Sequence, residues 1–379
     1  MALYKGFFDR FSGCGGDTRA IGRAVIHEHW KMVIISVLMI LTWLGSALPI
    51  KAHNRIKIDI NRPPGSRVDI GTHRLYIYCT GRGSPTVILD AGLGDSSLEW
   101  WPVQQRLAPH ARVCAYDRSG YGWSDPGPGP RTSLRNAVEL RMLLTRAHIE
   151  PPYLLVGHSF GGYDMQLFAS LYPKSVAGLV LVDSSHPQQV QRFEAQPIGV
   201  STAPTSGPGN QILMSQPVIP ENLPAALSGP ALTLMSAPKA LRAASDELMN
   251  FRLSANEVAN AGPWPDVPVV VLSRGRRVWP DDRKGRLMES LWMQLQIELA
   301  ARSPHSLHIL VRDAGHYIKL DRPEVVARAV ELILDKSHEQ VPHRTGPSPH
   351  EDKFTTLPAA QTYADDSLFS DRHTPRSAE

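Results

Sequence analysis

The chain has 379 residues, 42% of them hydrophobic and 20% charged, with a formal net charge of +4 and three cysteines. That composition buries a core and excludes a globally disordered chain, and so small a charge excludes the basic balance of a nucleic-acid binder. Three cysteines exclude a disulfide-dense scaffold and offer no Cys-rich zinc spacing, while the length admits about two domains or one large α/β domain with an insertion.

Residues 1–31 form an N-terminal segment. Lys31 and Lys51 then bracket an uncharged run from Met32 to Ile50, rich in Val, Ile, Leu and Met. As a helix this run spans about 28 Å, close to the hydrocarbon core of a bilayer. Trp30 and Trp43 suit the interfaces. Residues 32–50 therefore read as a transmembrane anchor; a cleaved signal peptide is the alternative, disfavoured by the length of the run and of the segment before it. Arg19, Arg23 and Lys31 precede the run, and Lys51, Arg55, Lys57 and Arg62 follow it. These charges nearly balance, so the side of the membrane that the rest of the chain faces stays open. The His27-Glu28-His29 cluster reads as solvated.

Residues 51–335 read as one domain. Candidate strands are Arg74–Cys79, Thr86–Leu89, Arg112–Tyr116, Tyr153–Val156, Gly178–Val182, Val267–Leu272 and Leu307–Val311. Several are nearly continuous in Val, Ile and Leu, the pattern of strands buried on both faces. Between them lie helix-like stretches at Ser97–Leu107, Ser133–His148, Phe160–Leu171, Arg286–Ala301 and Pro323–Leu334. Such alternation predicts an α/β fold with a mostly parallel, doubly wound sheet. Residues 187–265 break the alternation with a run rich in Pro, Ala, Ser and Gly. So long an interval is too much for a plain connection and reads as a partly helical cap, with Ala240–Phe251 as a candidate helix. Cys79 and Cys114 fall in strands and read as buried apolar residues. Residues 336–379 are polar and aperiodic and read as a disordered tail. There His338-Glu339 and His343 miss the HExxH zinc spacing by one residue.

The sharpest chemical signal is Gly157-His158-Ser159-Phe160-Gly161, with Gly162 after it, between an apolar run and a helix-like stretch. That context is what a nucleophile elbow requires: a turn too tight for side chains at its flanks, a strained serine, and a helix N-terminus whose free N–H groups face an oxyanion. Three further segments match in order: Asp90-Ala91-Gly92-Leu93-Gly94, Asp117-Arg118-Ser119-Gly120-Tyr121-Gly122-Trp123-Ser124-Asp125, and Asp313-Ala314-Gly315-His316. From about Arg67 to Leu334 the chain resembles the α/β-hydrolase fold superfamily, in its serine hydrolase branch.

The resemblance implies Ser159 as nucleophile, His316 as base, and the N–H groups of Leu93 and Phe160 as oxyanion donors. His158 competes weakly as base, because neighbours on a tight turn point apart. His186 reads as pocket lining or packing. The acid is open. The family commonly places it after the seventh strand, where this chain has Ser273-Arg274-Gly275-Arg276-Arg277 and reaches its next carboxylates only at Asp281 and Asp282. Some branches place it after the sixth strand, where Asp183 stands; Asp183 is favoured, with Asp282 or Asp281 as the alternative. Ala91-Gly92 replaces the usual His-Gly, so whatever braces that loop is supplied by other residues. With Asp183 as acid, Arg274, Arg276 and Arg277 are free for another task or solvated. Arg118 is expected to brace loops. Trp100-Trp101 read as packing, and Trp123 as pocket mouth or packing. The implied function is a membrane-anchored serine hydrolase of carboxylic esters, thioesters or lactones, acting on a small or lipophilic substrate without cofactor, metal or nucleic acid. Acyl transfer to another acceptor, cofactor-free peroxidation and an inactive binding or scaffold protein remain the alternatives.

Overall fold

In the computed structural model of the chain, residues 58–195, 219–339 and 361–364 are described. Nine strands form a single sheet: β1 (Ser66–Asp69), β2 (Arg74–Thr80), β3 (Thr86–Asp90), β4 (Val113–Tyr116), β5 (Tyr153–His158), β6 (Val176–Val182), β7 (Val269–Arg274), β8 (Ser306–Val311) and β9 (Gln361–Ala364). Their order is β1-β2-β4-β3-β5-β6-β7-β8-β9. The pairs β1–β2 and β2–β4 are antiparallel, and all others are parallel.

Alternation along each central strand divides the core into two layers. Ile88, Leu155, Leu179, Leu181, Val269 and Val271 face one layer. Val87, Leu89, Leu154, Val156, Val180, Val182, Val270 and Leu272 face the other. Both faces are dry, which is why the strands read as unbroken apolar runs. Helices α1 (Trp101–Leu107), α2 (Ser133–Arg146) and α3 (Phe160–Leu171) follow β3, β4 and β5. Ala137, Leu140, Leu143 and Phe168 of α2 and α3 fill the first layer, and Val103 and Leu107 of α1 the second. The expected helix Ser97–Leu107 is divided into a 3-10 turn, Ser97–Trp100, and α1. Pro102 lies in the first turn of α1, has no N–H to extend an α-helical ladder backwards, and Trp101 N–H bonds only three residues back, to Leu98 O.

The interval after β6 carries α4 (Gln189–Glu194), α5 (Ala225–Met235), α6 (Pro238–Met249) and α7 (Phe251–Ala259). The single helix expected over Ala240–Phe251 is two, parted at Asn250, whose side chain turns back onto the Asp246 carbonyl and carboxylate at 2.8 Å each. The chain closes with α8 (Arg283–Ala300), α9 (Ile318–Asp321) and α10 (Pro323–Glu339). Within the segment read as a tail, α10 runs to Glu339 and β9 pairs with β8. The proposed anchor at 32–50 lies outside the described residues, among which no helix is long and apolar enough to cross a membrane.

Cys79 and Cys114 are not free apolar residues. They stand directly opposite in the antiparallel β2–β4 pair and form a disulfide. Sequence shows two strand cysteines but not that their strands are neighbours. Such a bond belongs to an oxidising compartment. Protein folded in one and then denatured without reductant should expose only Cys14 to alkylation; three reactive thiols would show that the bond is absent. Closing a loop of 35 residues, it should make Cys114→Ser less stable by roughly 2–4 kcal/mol in urea unfolding.

Candidate active site

The strand order reverses at β3: β4 lies on one side of it and β5 on the other. A crevice opens at the carboxyl edge of a parallel sheet at such a switch point. Register brings the strand ends to within two residues of one another there, pairing Asp90 with Gly157, His158 with Val182, Val182 with Leu272 and Arg274 with Val311. The residues that follow each end therefore share one edge.

Ser159 sits between β5 and α3 at φ 52° and ψ −119°, a conformation that costs a non-glycine residue roughly 1–3 kcal/mol. Glycines make the turn possible by close approach. A Cβ on Gly157 would stand 2.6 Å from Gly161 O, and one on Gly161 would stand 2.5 Å from Ala91 O. The second contact presses the start of α3, with the Phe160 N–H, against the loop after β3 that carries Leu93. Gly92 N–H donates to Asp95 Oδ2 at 3.2 Å and Gly94 N–H to Tyr121 Oη at 3.3 Å, so the loop is pinned on both sides of Leu93.

His316 follows β8 and places Nε2 3.0 Å from Ser159 Oγ and Nδ1 2.6 Å from Asp183 Oδ2. Asp183 is fully buried and, like Ser159, holds a positive φ, 40°. Burial alone would raise its carboxyl pKa, but Arg274, His316 and the Trp292 N–H outweigh burial and hold it well below the usual carboxylate range. The Trp292 indole donates to Oδ1 at 2.8 Å. The structure thus brings Ser159, His316 and Asp183 into one hydrogen-bonded line.

A family model described as alpha/beta hydrolase fold matches residues 85–201, the segment from β3 through the elbow into the start of the cap. A putative epoxide hydrolase from Pseudomonas aeruginosa superposes with a TM-score of 0.56 at 16% identity, covering 73% of this chain and 96% of that one. The chain has the α/β-hydrolase fold. An AB hydrolase superfamily protein from Gibberella zeae is 27% identical over 286 residues, 66% of this chain and 86% of its own length. A putative carbamate hydrolase from Yersinia enterocolitica is 40% identical over 114 residues, 29% of this chain and 41% of its own length. Several other curated relatives are matched over only 18%, 41% and 52% of their lengths.

In this α/β-hydrolase fold the other acid candidates lie elsewhere. Asp282 caps α8, accepting from Gly285 N–H at 2.6 Å. Asp281 is exposed between Arg277 and Arg286, which hold its carboxyl below the usual range. Of the arginines expected to be free or solvated, Arg276 and Arg277 are exposed and paired with Asp321 and Asp281, each at 2.7 Å, whereas Arg274 is buried against Asp183. Trp123 packs on Tyr76, and its indole N–H donates to Ile60 O at 2.8 Å. Trp101 stacks on Tyr78, and Trp100 is buried beneath the Lys319 ammonium. The His186 ring accepts from Gln188 N–H at 3.1 Å, a turn contact.

Sequence reasoning missed a buried cluster behind the site. Lys319 in α9 is fully buried, with Nζ 2.8 Å from Asp95 Oδ2, 2.7 Å from His158 Nδ1 and 3.0 Å from Glu99 Oε2. His158 uses its other nitrogen on the His316 carbonyl at 2.9 Å, so Nε2 carries the proton and Nδ1 accepts. Burial and the ammonium lower His158 to about 4, keeping it neutral. Glu99 is pushed well above the carboxylate range by burial and by Asp95, whereas Asp95 is held far below it, Lys319 and His158 outweighing burial. One ammonium, one carboxylate, one neutral acid and one neutral imidazole make a neutral set. It ties together the Leu93 loop, the elbow and the His316 loop, the brace that Ala91-Gly92 cannot supply. The only sequence signal was a lysine three residues after His316, between Ile318 and Leu320.

Arg118 does brace loops, and it reaches the cap. It donates to Ala91 O (2.5 Å), Gly92 O (2.8 Å), Asp90 (2.7 Å) and both oxygens of Glu247 in α6 (2.8 and 3.0 Å). Tyr121 adds a hydroxyl on Glu247 at 2.7 Å. Among the described residues, no group of three or more His, Cys, Asp or Glu is disposed to hold a metal ion.

Replacing Lys319 with Met strands the Asp95 carboxylate, and denaturant unfolding should show a loss of about 3–5 kcal/mol. Burial and nearby arginines lower His186 to about 3. The unfolded chain takes up that proton near pH 6.5, so it binds more protons than the fold between those values and stability falls as pH falls below about 6.5. His186→Asn keeps a side-chain acceptor but does not titrate. Urea melts from pH 7 to pH 4 should show it losing less stability than wild type; parallel pH profiles would contradict the assignment.

Proposed function

We propose that the chain is a serine hydrolase that cleaves carboxylic esters, thioesters or lactones through an acyl-enzyme. The observation that carries this reading is the line Ser159 Oγ–His316 Nε2–His316 Nδ1–Asp183 Oδ2, at 3.0 and 2.6 Å, built at the carboxyl edge of the sheet. A serine hydroxyl needs a base in hydrogen-bond reach, and the base needs a third group to fix its tautomer. His316 Nδ1–H donates to the ionised Asp183, which leaves Nε2 as the acceptor facing Ser159.

In the first step Ser159 Oγ attacks the carbonyl carbon as its proton passes to His316 Nε2. The new C–O bond places a negative charge on the former carbonyl oxygen, for which the Leu93 and Phe160 N–H groups are the candidate donors. Asp183 supports the imidazolium. Collapse expels the alkoxide, thiolate or lactone oxygen, which takes the proton from His316. Water, activated by the same imidazole, then attacks the acyl carbon, and the acid leaves with Ser159 restored. Two helices of the cap, α6 and α7, border the site. Phe251 packs on Phe160, and Ala240, Ala243 and Ala244 pack with Leu93. These apolar walls favour a lipophilic acyl or alcohol group. The run Met32–Ile50 supports a single membrane anchor, and the Cys79–Cys114 bond favours exposure of this domain to an oxidising side.

A fluorophosphonate probe should label the purified chain from residue 53 onward at Ser159, and Ser159→Ala should abolish labelling; a folded wild type that stays unlabelled would sink the hydrolase reading. Asp183→Asn should lower turnover of an activated ester by about three to four decades. Asp282→Asn preserves a good helix cap and should stay within a few-fold of wild type. The reverse ranking would hand the acid role to Asp282.

A further inference from the structure

Arg274 occupies the end of β7, where the family commonly carries its acid. It is only 3% exposed. Its Nη1 lies 2.7 Å from Asp183 Oδ2, the same oxygen that His316 Nδ1 reaches at 2.6 Å. Its backbone N–H donates to Asp183 Oδ1 at 3.3 Å. On its far side Nη2 donates to Glu289 Oε2 at 3.1 Å. Trp279 and Trp292 lie 4.8 and 4.7 Å from its guanidinium carbon. Stacked, buried and bonded to carboxylates on two sides, the guanidinium cation is fixed in place.

Behind His316 the charges therefore alternate along one line: Asp183, Arg274, Glu289. In such a constellation the acid's negative charge stabilises the imidazolium that forms as the serine gives up its proton. A cation bonded to the same carboxylate oxygen withdraws part of that support, and in a buried site the effect is large. Glu289, partly exposed behind Arg274, returns some of it. We propose that Arg274 is a positioning residue which, balanced by Glu289, sets how much of the Asp183 charge reaches His316 and so sets the lowest pH at which Ser159 is activated. This rests on the reading of Ser159, His316 and Asp183 as a catalytic triad.

The other charged and titratable groups that face His316 are already neutralised. His158 of β5, whose ring centroid is 4.8 Å away, is neutral and bonded to the His316 carbonyl. Lys319 of α9 is paired with Asp95 and stands by Glu99. Asp321 of α9 is bonded to Arg276 and to Gly315 N–H. Tyr317, 5.7 Å ring to ring, is kept un-ionised by the Asp95 charge and by burial. Among the described residues, the Asp183–Arg274–Glu289 line is the one that changes the field at His316 through its direct hydrogen-bond partner.

The test uses Arg274→Met, Arg274→Lys and Glu289→Gln in the same chain as the labelling experiment. The fluorophosphonate labelling rate is followed from pH 4 to pH 9. Independently of any substrate, proton NMR follows the downfield resonance of the His316–Asp183 hydrogen bond. In Arg274→Met the acid limb of the rate profile should move to higher pH by about one unit, a roughly tenfold slower rate at a fixed pH on that limb. The downfield proton should move further downfield, because the released carboxylate accepts more strongly. In Glu289→Gln, where Arg274 loses its counter-charge, both should move the other way. Arg274→Lys, which keeps the charge, should stay closer to wild type than Arg274→Met. A purely structural Arg274 would lower rates without moving the limb, and cannot give shifts of opposite sign in the two variants. Unmoved limbs and resonances in folded Arg274→Met and Glu289→Gln overturn the proposal. If Arg274→Met does not fold, Glu289→Gln decides alone, and an unmoved or upward-moving limb overturns it. Resonance shifts in the expected directions without labelling of any protein would sink the hydrolase reading and leave the electrostatic one.

Discussion

The register of the parallel sheet is the constraint on which the site depends. Ser159, Asp183, Arg274 and His316 come from four chain segments separated by tens to more than a hundred residues. They meet because β5, β6, β7 and β8 pair in a register that ends them within two residues of one another, Val182 opposite both His158 and Leu272, and Arg274 opposite Val311. A slip of one residue in any of these pairs would turn a strand's apolar set from one core layer to the other. The two dry layers that hold the register therefore also hold the chemistry. Both residues with non-glycine positive φ at this edge, Ser159 and Asp183, stand at the first position after a strand. The backbone strain there is tolerated because the sheet and the first turn of α3 over-determine the bends.

Around that edge the fold buries charge in three sets, each close to internal balance. Asp183, Arg274 and Glu289 stand in line behind His316. Lys319, Asp95, Glu99 and His158 support the elbow and the His316 loop from behind. Arg118 meets Asp90 and Glu247, with Asp164 at 3.8 Å, over the Leu93 loop. In that third set carboxyls outnumber the cation, and burial raises Asp90 and Asp164 above the usual carboxylate range. Buried ion sets of this kind add little net stability, but removing one member leaves a stranded charge. Their effect is to fix the loops around the site.

The cap is tied into this system rather than laid over it. Glu247 of α6 is fully buried and bonded to Arg118 and Tyr121. Those two residues in turn hold Ala91 O, Gly92 O and Gly94 N–H of the loop carrying Leu93. The position of α6 and the shape of that loop are thus set by shared hydrogen bonds. Lys239, from the same helix, adds bonds to Gly122 O and Ser124 O at 2.7 and 2.6 Å.

The sequence by itself determined the alternating α/β architecture, the seven inner strands and the elbow around Ser159, because strands buried on both faces must be apolar throughout and a turn that tight admits only glycine at its flanks. His316 was legible from its loop after the last core strand, and Asp183 as the favoured acid with Asp281 or Asp282 still open. Tertiary structure alone decided that Asp183, rather than Asp281 or Asp282, lies in reach of His316, since that depends on which strand ends are neighbours. It alone revealed Arg274 as the partner of Asp183, Lys319 as the brace for the altered Ala91-Gly92 loop, and Cys79–Cys114 as a bonded pair. Each of these joins residues far apart in the chain whose types, read singly, have ordinary solvated or apolar explanations. A charge in a sequence carries no sign of its burial; only the packing that removes water from Arg274 and Lys319 turns them from surface cations into parts of the site.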